Sequence, residues 1–246
     1  MKSVIGPEQL AFLHDLRTYL DGLDPEMVAA ARAENIEDPM QVRTHGRRLL
    51  RTLGRDGWIG VGWPREHGGQ GRSPVEQWLF IEELYHRRLP NGLLTVSSIG
   101  PTLIRLGTPE QRAEFLPGIL AGELDFAIGY SEPDAGSDLA ALRTRAVLDG
   151  DDYVVNGQKI WTTGAQVATH LWLAVRTGSP DSKHRGVSLL ITPMDAPGIS
   201  ITPIITQGGE RTNAVFLDNV RIPQRYRVGA ENDGWKAIRS EEHTSE

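Results

Sequence analysis

Two stretches of this chain combine residue types that could hold a cofactor. The first is FAIGYSEPDAGSD, Phe126 to Asp138. It reads as a buried strand ending in Tyr130 and Ser131. A Pro- and Gly-rich loop follows, whose backbone amides, with the hydroxyls of Ser131 and Ser137, could face a polar planar ligand or phosphates. Composition taken alone favours a plainer reading, a strand and an ordinary turn. The second stretch is NGQKIWTTGA, Asn156 to Ala165. Read as a strand leaving an Asn156-Gly157 hairpin turn, it puts Trp161 and Thr163 on the same side, so that an indole and a hydroxyl share one surface. Such a surface suits a flat ring such as an isoalloxazine. Here too a plain alternative stands, with tryptophan as core filler and threonine as a good strand former.

Other chemistries fit these residues less well. Gly129-Tyr130-Ser131 opens like a nucleophile elbow and His67-Gly68-Gly69 hints at an oxyanion loop, but Pro133 stands where the elbow's final glycine belongs. No helical pattern follows to expose such a serine. Gly60-Val61-Gly62 begins a dinucleotide fingerprint, yet Arg65 takes the third glycine's place and no βαβ unit surrounds it. The seven histidines lack metal-binding spacing. Glu82-Glu83 with Arg87-Arg88 reads as a solvated helix face carrying i, i+4 pairs.

The elements that must position the two stretches fall into two groups. Up to Gly122 the pattern is helical. Leu10, Leu13, Leu16 and Leu20 recur after Pro7, with Gly22 placed to stop the helix. Ser73, Pro74 and Glu76 form a capping box ahead of an apolar face of Trp78, Ile81, Leu84 and Tyr85, and Thr108, Pro109 and Gln111 repeat the device. Between them, Ser98 to Leu106 reads as a short helix ended by Gly107. Beyond Gly122 the period becomes alternating: strands are expected at 124–131, 143–148, 152–155, 158–163, 170–176, 187–192, 199–205 and 214–220. Asp149-Gly150 and Asn156-Gly157 are the hairpin signals. The fold class expected is α+β, with a helical domain over 1–122, an antiparallel β-barrel-like domain over 123–230, and the start of a carboxyl-terminal helical domain or a non-native tail over 231–246. Arg239 to Glu246 is polar without apolar periodicity, which suggests truncation or a foreign tail.

Bulk properties narrow the class of partner. The 246 residues carry a formal net charge of -6, which disfavours a nucleic-acid binder. Cysteine is absent, excluding disulfides and thiolate metal sites and fitting a reducing cytoplasm. Met1 to Gly6 lacks a signal-peptide pattern and no run approaches the roughly 18 apolar residues of a membrane span. A cytoplasmic protein without a membrane span is expected.

The two candidate stretches, taken with several others in order, resemble the acyl-CoA dehydrogenase family along nearly the whole chain. GWPREHGGQG (Gly62 to Gly71) is similar to the family's loop between amino-terminal helices, and LGTPEQRAEFLPGILAGE (Leu106 to Glu123) to its helical-domain exit. FLDNVRIP (Phe216 to Pro223) with ENDGW (Glu231 to Trp235) resembles the end of its β domain and the start of its carboxyl-terminal four-helix bundle. The resemblance implies FAD as cofactor, lined by Ile128, Gly129, Tyr130, Ser131, Gly136 and Ser137. Tyr130 and Ser131 would meet the pyrimidine and N5 side, with serine at 131 where most relatives have threonine. Trp161 would pack on the ring and Thr163 would hydrogen-bond near N5. Thr162 replaces a usual apolar residue, and its side chain should face away. Ser137 would also meet the acyl-CoA substrate.

The reaction implied is α,β-dehydrogenation of an acyl-CoA thioester, with an electron-transfer flavoprotein as acceptor and a homo- or heterotetramer as the assembly. The family's base is a glutamate of the carboxyl-terminal helical domain. No residue here matches it, so none is assigned as catalytic, and the fragment by itself is expected to be inactive. TNAVFLDNVRIP with GWPREHGGQG looks most like the subgroup acting on bulky acyl-CoAs, including steroid side chains. Rival readings within the fold are an acyl-CoA oxidase, a flavin monooxygenase, and a non-catalytic partner subunit.

Overall fold

A computed structural model describes residues 5–37, 44–90, 92 and 94–242. The chain forms two compact units, one of residues up to Val96 with Pro117–Glu123, the other of Ser97–Leu116 with the residues from Leu124 onward.

The first unit is built from α1 (Pro7–Asp21), α2 (Pro25–Glu37), α3 (Thr44–Arg55) and α4 (Pro74–His86). Helix α1 buries Phe12, Leu16 and Leu20 at i, i+4 and i+8 while Leu10 is exposed, so the apolar stripe is rotated from the one expected. The capping box opens α4 as expected: Ser73 N–H donates to Glu76 Oε2 at 2.9 Å and Glu76 N–H to Ser73 Oγ at 3.3 Å. Its buried face is Leu79, Phe80 and Leu84, whereas Trp78 and Tyr85 are 53% and 73% exposed. The reason is electrostatic. Glu83, expected in solvent, is buried and accepts Arg17 Nε at 2.9 Å and Arg87 Nε at 2.8 Å. Burial alone would raise the Glu83 carboxyl, but the two guanidiniums hold it below the usual range. Satisfying that carboxylate turns the helix and carries the two aromatics outward.

The second unit holds α5 (Gly100–Leu106), closed by Gly107, and an eight-stranded sheet in the order β6-β7-β3-β2-β4-β5-β8 with β1 also paired to β4. The strands are β1 (Phe126–Gly129), β2 (Arg145–Asp149), β3 (Asp152–Lys159), β4 (His170–Arg176), β5 (Val187–Pro193), β6 (Ile199–Ile205), β7 (Arg211–Pro223) and β8 (Arg227–Val228). Helix α6 (Pro109–Leu120) opens with the second capping box, in which Thr108 and Gln111 exchange bonds of 3.1 and 3.2 Å. Antiparallel pairing dominates the sheet, and Tyr153, Val155, Leu171, Leu173, Val215 and Val220 form its core. Two features differ from the barrel-like expectation. The sheet is open, ending in β6 and β8, and β1 and β2 both run parallel to β4. Strand β5 takes one edge of β4 along its full length, so β1 and β2 lie end to end on the other edge. The segment 130–144 is the excursion between them.

The Asp149-Gly150 hairpin forms as expected, Asp149 facing Asp152 with Gly150 at φ +63°. Asn156-Gly157 does not turn the chain. Strand β3 runs through it with a register shift against β7, a bulge that takes glycine at φ +155°. Asn156 and Asn219 exchange bonds of 3.2 and 2.9 Å across this irregularity, offering the backbone an alternative to a turn. At the carboxyl end α7 (Gly234–Glu242) continues past the expected break at Arg239, and 243–246 lie outside the described residues.

A buried ion pair closes the excursion. Lys159 Nζ donates to Glu132 Oε1 at 2.8 Å and to the Tyr130 carbonyl at 3.0 Å. Glu132 also accepts Arg143 N–H at 2.6 Å and Thr144 N–H at 2.8 Å. Burial pushes the Lys159 ammonium down to about 8 against the pull of Glu132. Burial would raise Glu132, but Lys159 and the amides hold it below the usual carboxylate range.

Glu132→Gln is expected to destabilise the fold by about 3–5 kcal/mol by stranding the ammonium, and the Glu132→Leu/Lys159→Met pair by much less, measured by denaturant unfolding. The Glu132 contribution is present above about pH 4.5 and is lost as pH falls through its depressed folded value. Lys159, depressed from 10.5 to about 8, adds stability as pH rises through that interval. The stability difference between the original chain and the apolar pair should therefore shrink in acid. Gly157→Ala should cost about 1–3 kcal/mol in the same assay, because its Cβ would lie 2.5 Å from Thr144 Oγ1.

Candidate functional site

Gly129 ends β1 and is buried beside Leu171, while Ile128, Tyr130 and Ser131 are half-buried. A tight turn follows, Glu132 N–H donating to the Ala135 carbonyl at 2.9 Å and Ala135 N–H to Glu132 at 3.1 Å. The residue after Ser131 therefore enters a turn and not a helix, as the rejection of a nucleophile elbow requires. Gly136 and Ser137 lie on the exposed limb beyond, and a side chain at 136 would meet open space.

The second stretch differs from its expected form. Strand β3 ends at Lys159, so Trp161 and Thr163 do not share a strand face. Trp161 occupies the left-handed region at φ +60° and is 58% exposed. Such a backbone costs a non-glycine residue about 1–3 kcal/mol and persists only where neighbours over-determine it. Thr163 forms the next turn, its N–H bonding the Trp161 carbonyl at 3.0 Å and its hydroxyl Thr212 Oγ1 at 3.3 Å. Thr162 is fully buried, facing away from the exposed indole.

The two stretches meet through main chain. Ile160 N–H donates to the Ser131 carbonyl at 2.9 Å, and Lys159 Nζ to the Tyr130 carbonyl. Ser131 and Trp161 are thus fastened side by side. Among the described residues no hydrogen bond draws Gly136 or Ser137 to them. An outward tryptophan on a strained backbone, next to a strand end with a hydroxyl, is a platform that fits a flat heteroaromatic ring. Glu132 and Lys159, which hold this arrangement, carry no signal in the sequence: they stand 27 residues apart and match no periodic pattern.

A cavity of about 600 Å³ lies along the same excursion, with Arg143, Arg145, Lys183 and His184 in its lining against one carboxylate, Asp138. Its walls are held by Arg176, which is buried at the end of β4 and donates to the carbonyls of Ala140, Leu142 and Lys183. Burial lowers the Arg176 guanidinium and Glu132 opposes that. Among the described residues there is no group of three His, Cys, Asp or Glu that could hold a metal, and no helix is long and apolar enough to cross a membrane.

Residues 7–123 match the family description "Acyl-CoA dehydrogenase, N-terminal domain" and residues 127–220 "Acyl-CoA dehydrogenase, middle domain". The chain is 47% identical over 242 residues to acyl-CoA dehydrogenase FadE26 of Mycobacterium tuberculosis, covering 97% of this chain and 60% of that one. It is similar to the crystal structure of the ChsE4-ChsE5 complex from Mycobacterium tuberculosis, with TM-score 0.88, 45% identity, and coverage of 99% of this chain and 61% of that chain. The Tcur3481-Tcur3483 steroid ACAD gives TM-score 0.88 at 43% identity, covering 99% and 62%. The chain therefore spans about 60% of the length of FadE26 and of FadE29 of the same organism. With both domain descriptions matched in order along one chain, this protein belongs to the acyl-CoA dehydrogenase family.

Proposed function

We propose that this chain contributes the flavin- and thioester-facing surfaces of an FAD-dependent acyl-CoA dehydrogenase that desaturates the α,β bond of a bulky acyl-CoA. The observation that carries the reading is the exposed, strained Trp161 fastened beside Ser131. FAD bound there supplies the hydride acceptor. In this reading the Trp161 indole covers one edge of the ring, and Ser131 and Thr163 present hydroxyls to its polar side. Ile128, Gly129 and Tyr130 form the strand wall, and Gly136 and Ser137 lie where the acyl-CoA enters. Domains of 1–122 and 123–230 divide these tasks, the second carrying both candidate stretches, with the segment from 231 leading toward the helical domain in which relatives hold the base.

The basic cavity suits the phosphates of coenzyme A, because Arg143, Arg145 and Lys183 line it together and could pair with an anion there. A steroid-type acyl group and a heteromeric assembly are supported by the ChsE4-ChsE5 complex and the Tcur3481-Tcur3483 steroid ACAD. Pairing of unlike chains also supports the second reading, in which this chain is the non-catalytic subunit. An electron-transfer flavoprotein is the acceptor proposed, in the cytoplasm.

The test is the visible spectrum of the whole protein, with any partner chain, titrated anaerobically with steroid and straight-chain acyl-CoAs. Bleaching of flavin bands by one class establishes the reaction and names the substrate. Bands that persist favour an oxygen-using or non-catalytic member, and a protein without flavin refutes the proposal. In the active assembly Arg143→Ala should raise KM for acyl-CoA about tenfold or less, the scale of one exposed charge contact. The matching acyl-pantetheine, which lacks the phosphates, should be unaffected.

A further inference from the structure

Fully buried Asn213, on β7, directs its carbonyl and its side-chain amide N–H groups at the loop that carries Trp161. Its carbonyl accepts Thr162 N–H at 3.0 Å. Its Nδ2 donates to the Thr162 carbonyl at 2.9 Å and to Gln166 Oε1 at 2.6 Å. Its Oδ1 accepts Arg211 Nε at 3.1 Å. Both main-chain groups of Thr162 are therefore held by one residue. Thr162 directly follows the tryptophan whose φ is +60°, and the preceding residue, Ile160, is held to Ser131. A strained backbone survives only where it is fixed on both sides. One side is the Ile160–Ser131 bond, and the other is Asn213.

We propose that Asn213 is a positioning residue: by clamping Thr162 it forces Trp161 into its left-handed conformation and so presents the indole to the flavin. The flavin part rests on the function proposed above, whereas the backbone part stands on this chain's geometry alone. A side chain at 213 that cannot donate, such as alanine, releases the Thr162 carbonyl and Gln166, and Trp161 relaxes toward negative φ, drawing the indole off the surface.

The test is a double-mutant cycle in the whole protein, read by thermal unfolding and by flavin binding. Asn213→Ala should lower Tm, and should lower it clearly more in the Trp161→Gly background, because with tryptophan the relaxation of a strained φ offsets part of the lost bonds, whereas glycine adopts φ +60° without strain and has none to release. In the Asn213→Ala protein the flavin dissociation constant should rise about tenfold or more and the visible circular dichroism of bound flavin should change, effects expected if a supporting hydrogen-bond pair is lost. Equal Tm losses in the two backgrounds overturn the proposal, as does an unchanged flavin dissociation constant with Asn213→Ala. If Asn213→Ala fails to fold, Asn213→Ser takes its place in the cycle, with the same expected difference between backgrounds and the same refuting outcome. Should the unsubstituted protein bind no flavin, the functional reading falls, and the Tm cycle alone decides whether Asn213 holds Trp161.

Discussion

A lysine amine and a glutamate carboxylate, both withdrawn from water, hold the broken edge of the sheet together. Strand β4 carries two partners end to end on one side, and the chain between them must leave the sheet and return without abandoning its backbone polar groups. Glu132 takes the amides of Arg143 and Thr144 on the returning limb, and Lys159 takes the Tyr130 carbonyl on the departing one. Their mutual contact at 2.8 Å joins both limbs to the end of β3. Burying two charges is costly, and apolar packing of similar volume often matches such a pair in stability. What apolar packing lacks is direction. Four hydrogen bonds converging here give the excursion one conformation, and that conformation sets where Ser131 and Trp161 stand.

The candidate site is consequently made of main-chain constraints more than side-chain contacts. Ser131 does not bond to Trp161; its carbonyl is bonded by the residue before the tryptophan, Ile160. Rigid elements that aim exposed groups in this way suit the binding of a large planar ligand, since ordering the site need not be repeated at every binding event. The same economy appears at Arg176, whose guanidinium serves three carbonyls in the wall of the basic cavity. In the helical unit Glu83 has the comparable task of fixing the rotation of α4 against α1 through Arg17.

Sequence by itself determined the segregation of helices from strands, both capping boxes, the Asp149-Gly150 hairpin and most strand positions. These follow from interactions a few residues long, namely side-chain caps, turn residues needing positive φ, and alternation of burial. Tertiary structure decided the rest. Asn156-Gly157 carries the same local turn signal, yet β7 offers a ladder on both sides of the bulge and Asn219 a reciprocal partner, so pairing energy from 63 residues away in the chain prevailed over local preference. On α4 Leu84 is buried as expected, but Trp78 and Tyr85 face outward because Glu83 turns inward to a distant arginine. The position of Trp161 was out of reach for the same reason: its backbone sign depends on Asn213, Ser131, Lys159 and Glu132. These lie far apart in the chain and become neighbours only once the sheet has formed, and a period or a motif reports none of the bonds between them.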